Sequence, residues 1–171
     1  MSRLESIKSK IVSLEDAQRR VNMWRLKSDK IVFTNGCFDL LHEGHVTYLA
    51  KAAEEGNRLV LALNTDSSVK RQGKGDDRPI NGEGSRAIVL AALGFVDLIV
   101  LFDQDTPLEI IELLKPDVLV KGADYDPTER NPNAKKYIVG SDAVLNYGGA
   151  VKSIELVDGF STTALLAKVR K

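Results

Sequence analysis

A chain of 171 residues, 43% hydrophobic and 28% charged, is long enough to bury its own core, and its composition excludes a disordered or fibrous protein. Lysine plus arginine equals aspartate plus glutamate at 24 each, so a formal net charge of zero argues against a protein that coats nucleic acid or a membrane; anion binding must be local. One cysteine, a charged N-terminus and no apolar run of spanning length predict a cytoplasmic protein without disulfides.

Near the N-terminus, Leu14–Leu26 predicts a helix, with Ser13 as its N-cap and Glu15 and Asp16 facing the positive end of its dipole. From residue 30 two signals alternate. Lys30–Thr34 predicts a strand, Gly44–Glu55 a helix, Arg58–Asn64 a strand, Ser67–Ile80 a hydrophilic loop and Ser85–Leu93 a helix. Asp97–Phe102 then predicts a strand, Thr106–Leu114 a helix, Asp117–Lys121 a strand and Tyr125–Lys136 a second hydrophilic loop. Ser141–Tyr147 (helix), Val151–Leu156 (strand) and Thr162–Val169 (helix) complete the order. The strands are nearly continuous apolar runs, as expected where both faces are covered. This alternation predicts a Rossmann-like, doubly wound α/β domain over 30–171, with a parallel five-stranded sheet and right-handed crossovers. Residues 1–29 are expected to be a helical extension packed on it.

Ligands of such sheets sit beyond the carboxyl ends of the strands, near the switch in strand order. After the first strand comes TNGCFDLLHEGH, which holds both histidines of the chain, His42 and His45. At a helix start, positions three apart share a face, so both rings can address one ligand. Gly44 between them allows close approach, and the free N–H groups of the first turn suit a phosphate. Zinc is not expected: only Cys37, Asp39 and Glu43 are near in sequence, and no distant histidine completes a site. Cys37 is read as a small buried side chain in preference to a nucleophile.

The loop after the second strand carries Lys70, Arg71, Lys74 and Arg78 with Gly73 and Gly75, the composition of a mobile basic flap over phosphates. Its GKGDD is not a phosphate-binding Walker loop, since neither serine nor threonine follows the lysine. GEGSRA at Gly82–Ala87 matches a loose dinucleotide pattern, but a hydrophilic stretch with Pro79 precedes it where a strand is required. It reads as a turn into a helix, with Arg86 as a phosphate or substrate contact. Lys121, at the end of the fourth strand, can aim an ammonium into the crevice. Ser161, Thr162 and Thr163 begin the last helix, either as ordinary caps or as phosphate ligands.

TNGCFDLLHEGH resembles the first signature of the HxGH nucleotidyltransferase superfamily. NTDSSVKRQGKGDDRPI, VLVKGADY and GFSTTALL are similar to the heptose 1-phosphate adenylyltransferase family, whose activity is often fused behind a sugar kinase; the stand-alone form is expected here. The resemblance implies transfer of AMP from ATP, with Mg2+, to a sugar 1-phosphate, by in-line attack and release of pyrophosphate. It implies that His42 and His45 touch the triphosphate and transition state, with Lys121 adding positive charge. Asn35, Gly36, Phe38 and Gly44 would shape the nucleotide crevice, and Ser161–Thr163 would hold the outer phosphates. Lys70, Arg71, Arg78 and Arg86 would serve the substrates, and Asp39, grouped with them, would orient the acceptor or a donor side chain. The expected partners are small molecules and a further copy of the chain, in a dimer or tetramer, not nucleic acid or membrane. Two other readings stay open: a cytidylyltransferase for a small polyol or amino-alcohol phosphate, and a non-catalytic nucleotide-binding module.

Overall fold

The computed structural model describes residues 1–73, 75, 77–157, 159–162 and 165–166. In chain order the elements are α1 (Arg3–Lys8), β1 (Ile11–Val12), α2 (Leu14–Arg25), β2 (Ile31–Gly36), α3 (Glu43–Ala53), β3 (Arg58–Asn64) and α4 (Asp66–Arg71). They continue as α5 (Glu83–Ala91), β4 (Leu98–Phe102), α6 (Leu108–Leu114), β5 (Val118–Gly122), α7 (Ser141–Asn146) and β6 (Ala150–Ile154). Every strand pair is parallel and the order is β1-β4-β3-β2-β5-β6.

The sheet therefore has six strands, not the five expected. The extra one is β1, which pairs Ile11 with Ile99 and Val12 with Val100 along the outer edge of β4. Two residues are too few to show a period of two, so no sequence pattern marks them. Their pairing covers an edge that β4 would otherwise leave open. Ser13 does cap α2, its hydroxyl accepting from the Asp16 N–H at 3.1 Å.

Alternate residues of the central strands enter two separate cores, so both faces of the sheet are dry. Leu59, Leu61 and Leu63 of β3 pack with Leu49 of α3 and Leu90 of α5 on one face. Val60 and Ala62 pack on the other with Val21 of α2 and Ile111 of α6. The hydrophilic stretch after β3 is not all loop. The hydroxyl of Thr65 accepts from the Ser68 N–H at 3.1 Å and caps α4, which carries Lys70 and Arg71. Six residues with one apolar contact are too short a helix to read from periodicity. The expected last helix lies largely outside the described residues; within them the Leu165 N–H donates to the Ser161 carbonyl at 3.0 Å.

From β2 the chain moves outward to β3 and β4, then returns to lay β5 and β6 on the other side of β2. The sheet thus switches direction between β2 and β5. Those strands pair only at Val32–Val118 and Phe33–Leu119 and part beyond. At the parting, the Tyr48 hydroxyl lies 2.7 Å from Thr34 Oγ1 and donates to the Val120 carbonyl at 3.2 Å. One side chain of α3 thus spans the split that opens the site.

Candidate active site

A cleft of about 960 Å3 lies over the ends of β2 and β5, within the size range of small-molecule sites. β2 ends at Gly36, and the loop Cys37–Leu41 turns into α3. His42 is the N-cap: its backbone is extended (φ −139°, ψ 170°) and its Nδ1 accepts from the His45 N–H at 3.3 Å. In the neutral ring Nδ1 is then the acceptor and Nε2 carries the proton. The two imidazoles stack 3.7 Å apart at 20°. Phe38 meets His45 edge-on at 5.2 Å, and the Phe160 ring lies 6.2 Å from that of His42. Gly44 leaves room here, because a Cβ would sit 3.0 Å from Phe160 Cβ and 3.1 Å from His42 Nδ1 and press both neighbours apart.

Burial, and secondarily the neighbouring His42 ring, pulls the His45 imidazole down to about 4. Burial also lowers His42. Both shifts favour the uncharged rings at neutral pH, and a neutral imidazole offers one N–H donor and one acceptor.

Across the parting, Lys121 Nζ donates to the Asn35 carbonyl at 3.2 Å and lies 5.3 Å from the centre of the Tyr125 ring. Asn35 Oδ1 is buried without a hydrogen-bond partner among the described residues. The structure brings Asn35, Gly36, Phe38, Asp39, His42, Gly44 and His45 to the cleft, together with Arg78, Lys121, Ser161 and Thr162. Lys74 and Thr163 lie outside the described residues.

Three expected contacts are not at the cleft. Lys70 and Arg71 are exposed on α4, and Arg71 Nε donates to Asp105 Oδ1 at 2.8 Å while Nη2 donates to the Asp103 carbonyl. The positive charge read as a free flap is therefore partly neutralised at one end. The Arg86 side chain is 0% exposed and spends its donors on Asn81, Cys37 and Asp66. Periodicity could not foresee this, since an arginine on a helix is usually a surface residue.

Of the two roles expected of Asp39, orienting the acceptor or a donor side chain, its contacts match the second. Its carboxylate is fully buried and accepts from Arg78 Nε at 2.5 Å and from the Ile80 and Asn81 N–H groups at 2.8 and 2.9 Å. Burial opposes its ionisation, but the Asn81 and Ile80 amides and Arg78 outweigh that and hold the carboxyl below its ordinary range. Asp39 ties Arg78–Asn81 to the histidine loop. Gln72, Asp124, Tyr125 and Phe160 also line the cleft; the sequence placed them in segments after strand ends but gave none of them a role. Asp124, Tyr125 and Phe160 follow strand ends, so position alone marked them. Gln72 is the C-cap of α4 and accepts from the Cys37 thiol at 3.2 Å, visible only once that helix is in place.

Among the described residues no three or more His, Cys, Asp or Glu side chains gather as a metal site. The family described as cytidylyltransferase-like matches residues 33–164. The bifunctional protein HldE of Gluconobacter oxydans is 54% identical over 156 residues, covering 91% of this chain and 31% of that protein. HldE of Caulobacter vibrioides is 53% identical over 160 residues, covering 94% and 31%. The chain thus spans about a third of the length of the curated relatives it matches. A lipopolysaccharide core biosynthesis protein from Thermoplasma volcanium superposes with a TM-score of 0.57 at 27% identity, over 75% of this chain and 97% of that one. The pantoate-beta-alanine ligase of Francisella tularensis, solved with beta-gamma ATP and beta-alanine, shares the fold at a TM-score of 0.56 and 12% identity, over 94% and 76% of the two chains.

Proposed function

The chain belongs to the cytidylyltransferase-like family, and on that premise we propose that it transfers AMP from ATP to a heptose 1-phosphate, releasing pyrophosphate and forming ADP-heptose for lipopolysaccharide core synthesis. The likeness to HldE over 91% of the chain and to a lipopolysaccharide core biosynthesis protein supports the sugar. The observation that carries the chemistry is the stacked, neutral His42–His45 pair at the start of α3, facing a cleft that also holds Lys121.

A phosphate oxygen of the sugar attacks the α-phosphorus in line, and the bond from that phosphorus to the pyrophosphate oxygen breaks. Negative charge grows on the nonbridging oxygens and the leaving group, so fixed donors aimed there lower the barrier. His42 Nε2, the His45 ring and the first-turn amides of α3 supply such donors without the cost of reorienting water. Lys121, Ser161, Thr162 and Thr163 hold the outer phosphates, and Asn35, Gly36, Phe38 and Gly44 shape the nucleotide crevice. Mg2+ would be supplied with the triphosphate and would add positive charge at its phosphates; of the cleft carboxylates, Asp39 and Asp105 are engaged by Arg78 and Arg71, and Asp124 would be the one to hold the ion. Lys70, and Arg71 once its exposed ion pairs with Asp103 and Asp105 open, add charge at the rim.

We place this activity in a cytoplasmic homo-oligomer, a dimer or tetramer; no described helix is long and apolar enough to cross a membrane. The family's description keeps one second reading, cytidylyl transfer to a polyol or amino-alcohol phosphate. Purified protein incubated with ATP or CTP and a panel of sugar 1-phosphates is expected to release pyrophosphate with ATP and a heptose 1-phosphate. Turnover with CTP alone selects the second reading, and nucleotide binding without pyrophosphate from any pair makes the chain a binding module.

A further inference from the structure

We propose that Arg86 is a positioning residue of this transfer: it holds the Cys37–Phe38 peptide in the one orientation that seats the Phe38 ring against His45. The proposal rests on the adenylyl-transfer reading for its kinetic consequence, but not for its structural one. Arg86 stands on α5, fully buried, and its three donor directions are all used. Nε donates to the Asn81 carbonyl at 2.9 Å, Nη1 to the Cys37 carbonyl at 2.6 Å and Nη2 to Asp66 Oδ1 at 2.7 Å. A planar guanidinium that spends two directions on backbone carbonyls fixes the shape of a loop more than it neutralises a charge.

The carbonyl at Cys37 is the informative one. Phe38 has φ +43°, a left-handed conformation that a bulky side chain rarely adopts. Rotation of the Cys37–Phe38 peptide plane changes ψ of Cys37 and φ of Phe38 together, so pinning the Cys37 oxygen pins the sign of that φ. On the other side of Phe38, Asp39 is held by the Ile80 and Asn81 amides, and Arg86 grips Asn81 as well. Phe38 is thus clamped between two anchored neighbours. Its ring lies over Gly36, where a Cβ would come within 2.8 Å of Phe38 Cε2, and against the His45 edge. Release of the clamp lets Phe38 relax to negative φ, withdraws its ring from His45 and opens that imidazole to water.

The test combines imidazole titration by NMR with steady-state kinetics, and a chain with two histidines makes the spectra simple to assign. In Arg86→Lys, which keeps a charge but cannot span three acceptors, the His45 midpoint is expected to rise from about 4 toward the ordinary 6.5. With it kcat should fall about tenfold or more while the KM for the sugar phosphate stays within about threefold. Phe38→Gly, which removes the ring and relieves the positive φ, should move His45 the same way. On that background Arg86→Lys should change neither the His45 midpoint nor kcat by more than about twofold, because the arginine acts through Phe38. An unmoved His45 midpoint in folded Arg86→Lys overturns the proposal, as do full additivity with Phe38→Gly and a loss expressed in the KM for the sugar phosphate. Should Arg86→Lys not fold, Asp66→Asn loosens the same guanidinium, and an unmoved His45 in that variant overturns it equally. The titration uses free protein, so absence of product with ATP and any sugar 1-phosphate would refute the adenylyl reading while leaving this arm intact.

Discussion

At His42 the backbone and the ring are committed to the same turn. The residue ends the extended loop, its carbonyl receives the Val46 N–H at 3.1 Å, and its Nδ1 receives the His45 N–H. That leaves Nε2 to face a ligand, with the proton already on it. His45, one residue past Gly44, is pressed between His42 and Phe38, so its work is done by a neutral ring in fixed position. Replacement His45→Ala should therefore lower kcat about a hundredfold or more, in line with the roughly 2.7–4 kcal/mol typical of a lost transition-state donor. The KM for ATP should change far less, since the proposed ground-state contacts to the triphosphate are spread over several other groups. A steady-state comparison of the two proteins decides it: an equal rise in KM with kcat unchanged would make His45 an ordinary binding residue.

Among the elements, α3 carries the most. Its first turn holds the histidines, its Tyr48 bridges the splayed ends of β2 and β5, and its Leu49 and Ala52 enter the core. The helix must therefore stand at a fixed height over β2, and the turn that follows it enforces this. The Lys30 carbonyl, just before β2, accepts from the Asn57 and Arg58 N–H groups at 2.8 and 3.1 Å. A Cβ on Gly56 would lie 2.6 Å from that same carbonyl oxygen and 2.7 Å from Val32 Cγ2. Gly56→Ala must push the turn off the strand, and the neighbour that yields is backbone. We expect a loss of about 2 kcal/mol in urea unfolding, in the usual range for overpacking. An unchanged midpoint would show that the turn can shift freely.

For the whole molecule, acid is the condition that exposes how the site is built. His45 has a folded value of about 4 against an ordinary 6.5, so between these the unfolded chain binds more protons than the folded one. Its contribution to stability is complete above pH 6.5 and is lost as pH falls toward 4. Asp39 adds a second loss at lower pH: its carboxyl is held below 3.8 in the fold, so its contribution is present above that value and disappears as pH falls through the folded one. Urea midpoints measured from pH 7.5 down to pH 4 should decline, and in His45→Gln the decline between pH 6.5 and 4 should be shallower. Parallel curves for the two proteins would mean that His45 titrates alike in both states.

How much of this was legible beforehand follows from what each signal needs. β3 runs from Arg58 to Asn64 as its apolar run predicts, because a strand covered on both faces leaves a continuous pattern in its own residues. The histidines and Gly44 were legible for the same reason: a helix start, its cap and its spacing are local. β1 was not, since two residues become a strand only when the edge of β4 is beside them. Nor were the role of Arg86 and the choice between the two roles expected of Asp39. Both are charged side chains near a motif, and sequence position cannot say whether such a charge meets a ligand or a buried partner. The sequence by itself determined the strand–helix alternation, the parallel sheet and the residues at the strand ends. Tertiary structure alone decided which charges reach the cleft, because burial and pairing depend on what lies across the chain: Asp39 meets the amides of Ile80 and Asn81, and Arg86 the carbonyl of Cys37.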